Sequence, residues 1–396
     1  MKRVYITTIV TAILALAIFA TVYSVWDRKL VEGELKVGFI CENDESTPYT
    51  YNFMLAQSAL TRALPGKVKI YSRSNVPDSE TLEPIHELVR VGCEIIFTNS
   101  YSEQVLEAAR QYPKVQFCQG SFSGAERNGL PDNYHTFNGE IYQGRYASGV
   151  AAGMKLRDML DNHVITADQA LVGYVGAFST PEVISGYTAF LLGVRSVAPE
   201  ATMRVRYTGT WSSYSREKAG AKALIDEGCI VIAQHTDTIG PAMACEEAEV
   251  DHRIIHVGYN QDMTDIAPST SLISCCVNWT PYVVSATEAV MNHEDIERHV
   301  SGSVHGNDIS AGFDQGWVQV LDLNRQIAAY GTEERLQRTI EALKKGSLEV
   351  FKGDYTGVNP DDPSDTIDLK QGYKECEKGS WSTFHYVLDD VVTVEG

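Results

Sequence analysis

Two stretches of the 396-residue chain follow one pattern: Leu88–Phe97 (LVRVGCEIIF) and Leu224–Ala233 (LIDEGCIVIA). Each begins with the end of an amphipathic helix, passes through a glycine that stops the helix, and ends in an apolar run typical of a buried strand. A polar segment follows each run, Thr98–Tyr101 in the first and Gln234–Asp237 in the second. The matched order predicts two lobes of the same build.

The pattern extends outward, because short apolar runs alternate with amphipathic stretches along most of the chain. The apolar runs lie at 35–41, 68–71, 93–98, 115–118, 171–178, 203–207, 229–233 and 254–258. Such alternation predicts an α/β fold with parallel sheets flanked by helices. Ligands of such sheets bind beyond the carboxyl ends of the strands. We therefore expect a two-lobed protein whose ligand cleft lies between the lobes and closes by a hinge motion.

The pattern also suggests how the chain is divided. We expect residues 34–147 to form the first part of lobe 1 and residues 148–262 to form lobe 2. Residues 263–396 are predicted to be crossover segments that return to both lobes. Within them we expect an acidic loop at Asn359–Asp368 and a final strand at His385–Val392.

Residues 1–33 are predicted to be a membrane anchor or signal segment. Lys2 and Arg3 precede Tyr5–Trp26, a run without charge that is predicted to form a hydrophobic helix. As a helix it is long enough to span roughly 30 Å of hydrocarbon. An uncleaved anchor is favoured, although Ala15–Ala17 has the small-x-small pattern of a cleaved signal peptide. Either reading places the two lobes outside the cytoplasm, anchored to the membrane or secreted.

Charge and cysteine content exclude several classes of protein. The 33 Lys and Arg residues against 52 Asp and Glu residues give a net charge of −19, which repels phosphate backbones and excludes a nucleic-acid polymer as partner. A small neutral ligand is compatible with that charge. None of the eight cysteines forms a CxxC motif, and most lie in apolar runs. We expect buried free thiols.

No motif for catalysis or for a nucleotide cofactor is found. The chain lacks the GxGxxG and GxxxxGK[ST] phosphate loops, the GxSxG elbow and an HExxH zinc motif. The acidic residues of Asn359–Asp368 lack the glycine and spacing of a calcium loop. We therefore expect a protein that is not an enzyme, with no catalytic residues, no cofactor and no metal site.

Aromatic and polar residues instead collect at the ends of the predicted strands. Aromatic rings supply stacking area, while amides, histidine and carboxylates can bind the edge of a flat heterocycle with ring nitrogens. The residues predicted on this basis to line a ligand cleft are Tyr49, Thr50, Asn99, Ser100, Phe178, Trp211, His235, Asp237, Asn260 and Asp262.

Several segments are similar to one known family. The chain resembles the basic membrane protein family of solute-binding proteins, in order along roughly residues 35–355. The segments that carry the resemblance are Phe137–Gly153, Leu171–Val183, Ala223–Gly228, Gln234–Asp237, Gly258–Met263 and Asn278–Tyr282. Together these segments are specific to the family, whereas each one alone is weak evidence for it. The resemblance implies a type I periplasmic-binding-protein fold and a receptor for purine nucleosides or purine bases that serves an ABC transporter.

The resemblance also assigns roles to single residues. It implies that Tyr49 stacks on the base and that Trp211 is the aromatic residue of the second lobe. Asp262 lies in the motif that carries a ligand-contacting acid, whereas Asn260 replaces an acid of the nucleoside-binding branch. Asn278 is added to the predicted site because it stands where that branch has a lysine. Together with Ser213, which stands where an aspartate is common, these departures favour a base over a nucleoside.

The sequence thus leads to one hypothesis and two alternatives. The hypothesis is an extracytoplasmic receptor that captures a purine base or nucleoside and delivers it to ABC permease and ATPase subunits. The first alternative is a sensory receptor of the same fold, coupled to signalling. The second is a nucleoside hydrolase acting through Asp237 and Asp262, which the lack of an N-terminal Asp-rich metal cluster disfavours.

Overall fold

The structure, a computed structural model, describes residues 34–120, 129–249 and 253–395. The hydrophobic helix predicted at Tyr5–Trp26 lies outside these residues. Within them, no helix has both the length and the apolar character needed to cross a membrane.

The described residues form seventeen strands and ten α-helices. The strands are β1 (Leu35–Ile40), β2 (Val68–Arg73), β3 (Ile95–Thr98), β4 (Gln116–Gly120), β5 (Tyr134–Gly139), β6 (Leu171–Gly176), β7 (Thr202–Tyr207), β8 (Val231–His235), β9 (Ile255–Tyr259), β10 (Ser271–Val277), β11 (Ser303–His305), β12 (Asp308–Ala311), β13 (Val318–Val320), β14 (Thr356–Asn359), β15 (Asp362–Asp368), β16 (Val387–Leu388) and β17 (Val391–Glu395). The helices are α1 (Pro48–Ala63), α2 (Leu82–Arg90), α3 (Gln104–Gln111), α4 (Ile141–Asp161), α5 (Pro181–Arg195), α6 (Tyr214–Asp226), α7 (Gly240–Ala248), α8 (Thr280–Asn292), α9 (Ile296–His299) and α10 (Thr332–Lys344).

Two seven-stranded sheets form the body of the protein. The first has the order β11-β12-β5-β4-β3-β1-β2, and the second has the order β13-β10-β9-β8-β6-β7-β17. In each sheet every strand is parallel to its neighbours except one edge strand, β11 or β13, which is antiparallel. The central strands are buried, in keeping with their nearly continuous apolar sequence. The predicted parallel sheets flanked by helices are confirmed.

The chain crosses between the two sheets at three places. After β5 it enters α4, which packs on β10 of the second sheet. After β10 it enters α8, which packs on α1 and β3 of the first sheet. Between β12 and β13 it returns to the second sheet. The lobe boundaries placed at 147 and 262 from the sequence stay a prediction.

The internal repeat is reproduced in the backbone. Gly92 and Gly228 follow α2 and α6 with φ angles of +91° and +92°, values that glycine adopts without strain. The next residue in each case donates its N–H to a helix carbonyl 3.0 Å away, from Cys93 to Leu88 and from Cys229 to Leu224. This is the bonding of a glycine-terminated helix. Two equivalent junctions therefore lead into β3 and β8.

The C-terminal region differs from the prediction. The expected acidic loop is largely strand β15, which pairs with β14 in a separate three-stranded sheet of order β15-β14-β16. The expected final strand is two strands, and β17 joins the second sheet parallel to β7. Tertiary pairing, which the local sequence does not encode, decides both cases.

All eight cysteines are buried and unpaired, as predicted. Burial raises the pKa of the Cys93 thiol to about 11 and that of the Cys41 thiol to about 12. Burial likewise raises the pKa of the Cys229 thiol to about 12.

Candidate ligand-binding site

The site begins at two equivalent helix starts. Helices α1 and α5 follow the first strand of each sheet series, β1 and β6, and each opens with a proline, a residue suited to the first helical turn. The next residue is Tyr49 in α1 and Glu182 in α5, and both are buried. The fold thus places an aromatic ring from one lobe and a carboxyl group from the other beyond the carboxyl ends of β1 and β6.

A row of aromatic rings follows the strand ends of the second sheet. The ring centres of Phe178 and Trp211 lie 5.8 Å apart, and those of Trp211 and His235 lie 6.1 Å apart. His235 in turn lies 4.9 Å from Tyr259. Phe178 is exposed, Trp211 is half-buried, and the other two are buried. The row therefore leads from the surface into the interior and offers ring surface along its length.

A buried guanidinium group lies at the inner end of this row. Arg145 of α4 is 1% exposed, and its guanidinium carbon lies 3.8 Å from the centre of the Tyr259 ring. Its Nη1 donates to the Gln234 carbonyl at 2.7 Å. Its Nε and Nη2 have no hydrogen-bond partner among the described residues. Buried polar groups are nearly always bonded, so these donors are available to a ligand or to water.

His235 is fully buried beside Glu182. Its Nε2 lies 3.7 Å from the Glu182 carboxylate, and neither ring nitrogen has a hydrogen-bond partner within the part of the chain that the structure describes. Burial, and then the nearby Arg145, lowers the pKa of His235 to about 4, with Glu182 acting in the opposite direction. The imidazole is therefore neutral at pH 7 and presents one donor and one acceptor.

Asp237 is buried two residues further along the chain. Burial raises its pKa well above the usual value, and the negative charges of Glu217 and Glu42 raise it further, whereas Arg145 lowers it. Its backbone N–H donates to the Trp211 carbonyl at 2.9 Å, which fixes it against the aromatic row. Burial thus favours the protonated form of this carboxyl group, which can donate a hydrogen bond as well as accept one.

The first lobe contributes polar groups that face the second. The Asn99 side chain is fully buried; its Oδ1 accepts the Glu42 N–H at 3.0 Å, and its Nδ2 has no partner among the described residues. The Thr50 hydroxyl is likewise buried and without a hydrogen-bond partner in those ranges. Burial raises the pKa of Tyr101 well above its usual value, and the negative charge of Glu182 raises it further. Tyr101 follows Asn99 and Ser100 directly after β3, at the carboxyl end of a strand of the first sheet.

A direct contact joins the two sheets at the edge of the site. The Asn52 Nδ2 donates to the Val277 carbonyl and lies 3.5 Å from the Asn260 Oδ1. Asn260 has a left-handed φ of +61°, a conformation that asparagine tolerates better than most residues. Its buried Nδ2 has no hydrogen-bond partner in the described chain. Asn260 thus presents an amide donor where the lobes meet.

Three predicted site residues use their polar groups elsewhere. The Ser100 hydroxyl donates to Asp78 at 2.5 Å, and the Asn278 Nδ2 donates to the Gly316 carbonyl at 2.9 Å. Asp262 is exposed, and its carboxylate accepts the Thr264 N–H at 2.9 Å within a local turn. The structure does not bring these three side chains into the cluster around His235, and ligand contacts from them stay untested predictions.

Sequence reasoning missed Glu42, Tyr101, Arg145 and Glu182 as site residues. A signal existed for Glu182, because it follows a helix-opening proline as Tyr49 does. Arg145 had only its place in the first half of a long helix, where the neighbouring residues are small or apolar and a charge is unusual. Tyr101 closes the polar segment Thr98–Tyr101 that the sequence marks after the first apolar run, but nothing in that segment singles it out beside Asn99 and Ser100.

Stability should depend on pH through two buried histidines. Burial lowers the pKa of His256 to about 3, and that of His235 is about 4, from a usual 6.5. Below pH 6.5 these histidines bind protons in the unfolded chain but stay neutral in the folded chain, so their contribution to the free energy of unfolding falls with falling pH. The raised pKa of Asp237 acts in the opposite direction. The loss is at most about 1.4 kcal/mol per pH unit for each histidine, and it is absent well above pH 6.5. Urea unfolding at pH 7 and pH 5 measures it, and a His256→Asn variant should show a smaller pH dependence. An unchanged dependence would contradict the assignment.

The comparison with known families can now be stated. Residues 44–348 match the family described as PnrA-like ABC transporter substrate-binding proteins, named Bmp. The chain belongs to the Bmp family. The resemblance seen in the sequence is thereby confirmed, and this Bmp protein is a member of a family of extracytoplasmic solute-binding proteins rather than of enzymes.

Two curated relatives differ in the ligand that their names give. The Bmp protein is 29% identical to a purine-binding protein of Brucella abortus over 326 residues, which cover 81% of this chain and 84% of that protein. It is 30% identical to a putative ABC transporter glucose-binding protein of Haloferax volcanii over 280 residues, which cover 70% of this chain and 64% of that protein.

Solved structures agree on the fold. A solute-binding protein of an ABC transporter system from Aeropyrum pernix superposes with a TM-score of 0.64 at 14% identity, over 83% of this chain and 95% of that one. Its counterpart from Conexibacter woesei gives a TM-score of 0.62 at 17% identity, over 79% and 97%. The predicted periplasmic-binding-protein fold is confirmed.

Proposed function

We propose that this Bmp protein captures a purine, preferably a free base, and delivers it to an ABC permease with its ATPase. The observation that carries the proposal is the aromatic row that ends at Tyr259 against Arg145, together with buried polar groups at the strand ends of both sheets. These polar groups have no hydrogen-bond partner among the described residues, so ring surface and free hydrogen-bonding capacity occur together.

The polar groups match the edge of a purine. A purine presents donors and acceptors side by side around a flat ring. Neutral His235 offers a donor and an acceptor, burial favours the protonated form of the Asp237 carboxyl group, and the amides of Asn99 and Asn260 add donors. Buried groups of this kind discriminate strongly between ligands. A ligand that leaves them without a hydrogen bond binds more weakly, by the free energy that it costs to remove these groups from water. We assign Tyr49 and Trp211 to the two faces of the base.

A base is favoured over a nucleoside for a reason already present in the sequence. Asn260 and Asn278 replace the acid and lysine of the nucleoside-binding branch, and Asn278 bonds to the protein backbone. The name of the Brucella relative supports a purine, whereas that of the Haloferax relative makes glucose the competing ligand. We further propose that the N-terminal segment anchors the lobes to the extracytoplasmic face of the cell membrane. We also propose that ligand binding favours closure of the cleft.

Calorimetric titration tests the proposal. After removal of copurified ligand by unfolding and refolding, adenine is expected to bind with a dissociation constant of about 1 μM or below, equivalent to about −8 kcal/mol. Guanosine and inosine should bind more weakly, and glucose should give no heat. Heat from glucose alone, or from none of the four compounds, would overturn the assignment.

Two further assays separate the alternatives. Incubation with inosine should yield no free hypoxanthine, since release of the base would identify a nucleoside hydrolase. Uptake of labelled adenine by cells should depend on the protein. Uptake that survives its deletion, together with a lost transcriptional response to adenine, would identify a sensory receptor.

A further inference from the structure

The chain continues beyond the family match as a C-terminal arm, defined here as residues 349–395. The arm is joined to the second lobe, because β17 extends the second sheet in parallel pairing with β7, from Val391 opposite Met203 to Glu395 opposite Tyr207. Its three-stranded sheet, β15-β14-β16, contacts α5 through β16. The base of the arm therefore belongs to the second lobe.

The tip of the arm contacts the first sheet instead. The Ser380 N–H donates to the Asp308 Oδ2 at 2.6 Å, and the Ser380 hydroxyl donates to the Asp308 Oδ1 at 2.7 Å. Asp308 lies in β12 and also accepts the Thr136 hydroxyl of β5 at 2.6 Å. Ser380 is 1% exposed. Two hydrogen bonds to one buried carboxylate fix the tip firmly on the first lobe.

The arm between base and tip is packed rather than loose. The rings of Phe351 and Phe384 are stacked with centres 4.5 Å apart, and Tyr373 lies 5.2 Å from Phe384. The Glu375 carboxylate accepts the N–H groups of Thr383 and Phe384 at 3.0 and 2.9 Å. The residues between Glu375 and Thr383 are therefore held as one closed turn.

Trp381 follows Ser380, and its ring contacts a residue at the carboxyl end of β3. Its ring meets the Tyr101 ring edge-on, with centres 6.1 Å apart and planes at 89°. The backbone N–H of Tyr101 donates to Asp78 at 3.0 Å, which fixes the start of the side chain. Tyr101 directly follows Asn99 and Ser100 at the carboxyl end of β3, the edge of a parallel sheet at which ligands bind. The position of the Tyr101 side chain thus depends on a ring supplied by the arm.

We propose that Trp381 is a positioning residue of the ligand site, which holds Tyr101 as a ligand-contacting wall between the lobes. The proposal rests on the function proposed above. It makes the ligand preference of this chain depend on a segment outside the family match. Tyr101 binds the ligand edge through its hydroxyl, and Trp381 acts only through Tyr101.

The test uses single and double variants of the full chain. Trp381→Ala is expected to weaken adenine binding about fivefold, the size expected for loss of an aromatic edge contact. Trp381→Phe should restore most of the affinity. His385→Ala is the matched control, since His385 lies on the arm but contacts Asp365 and Tyr386. It should bind adenine as the wild type does.

Two readouts distinguish positioning from a general loss of structure. In a Tyr101→Ala background, adding Trp381→Ala should cause no further loss of affinity. Hydrogen exchange of the peptide covering residues 99–103, measured without ligand, should rise in Trp381→Ala and not in His385→Ala. Additive losses of affinity, or unchanged exchange, would overturn the proposal. If the wild type binds no purine but the exchange result holds, the proposed function fails and the positioning of Tyr101 is supported.

Discussion

Trp211→Ala is expected to weaken adenine binding about 100-fold. Removing an aromatic platform under a base costs about 1–3 kcal/mol, and the upper part of that range corresponds to this loss. Trp211 also contacts Phe178 and His235, so its removal opens both sides of the aromatic row. The fold should survive, because Trp211 is half-buried at the cleft. Calorimetric titration with adenine measures the change.

Trp211→Phe and Tyr330→Ala are the companion variants. Phenylalanine preserves a ring face, so Trp211→Phe should bind adenine at least about tenfold more tightly than Trp211→Ala. Tyr330 is fully exposed, so Tyr330→Ala should bind adenine as the wild type does. If the affinity of Trp211→Ala for adenine stays within about twofold of the wild-type value, adenine does not stack on Trp211, and that part of the proposed function is wrong.

Gly149→Ala is expected to destabilise the protein by at least about 3 kcal/mol, the upper end of the cost of overpacking. A Cβ on Gly149 of α4 would lie 2.2 Å from the Phe190 carbonyl oxygen of α5. A Cβ on Gly193 of α5 would lie equally close, 2.2 Å, to the Tyr146 carbonyl oxygen of α4. Because backbone meets backbone at both places, no flexible side chain can yield. The helices would have to separate.

Gly220→Ala is the matched control for that prediction. Gly220 also lies in a helix, α6, but the nearest atom to a Cβ there is 3.8 Å away, at ordinary contact distance. Alanine should stabilise this helix by about 0.5–1 kcal/mol. Urea unfolding of the three proteins measures both effects. A Gly149→Ala protein as stable as Gly220→Ala would contradict the close helix contact.

The predictable part of the fold lies where local signals agree. Gly92 and Gly228 could be recognised because glycine stops a helix and an apolar run follows. The amphipathic pattern of Thr332–Lys345 likewise predicts a helix, and α10 is found at Thr332–Lys344. Tyr49, Trp211, His235 and Asp237 could be proposed for the candidate site because parallel strands bring their carboxyl-terminal loops to one edge, and their contacts with a ligand stay a prediction.

The rest of the site depends on contacts between distant segments. Arg145 contacts Tyr259 only because α4 packs on the second sheet, and Tyr101 contacts Trp381, which lies 280 residues further along the chain. Asp262 follows β9 closely, as expected, but a local turn directs its carboxylate to the Thr264 N–H. Such outcomes are set by tertiary packing, which no local pattern determines.

The eight buried thiols have a practical consequence. Because the thiolate is the reactive form, thiols whose pKa burial raises to about 11 or 12, as for Cys93 and Cys41, react slowly with maleimides near neutral pH. A single cysteine introduced at the exposed Tyr51 or Tyr214 would therefore be labelled selectively in the native protein. Tyr51 lies near the start of α1 and Tyr214 opens α6, so the two labels stand on opposite lobes. A fluorophore pair there would convert the protein into an optical sensor of its own ligand.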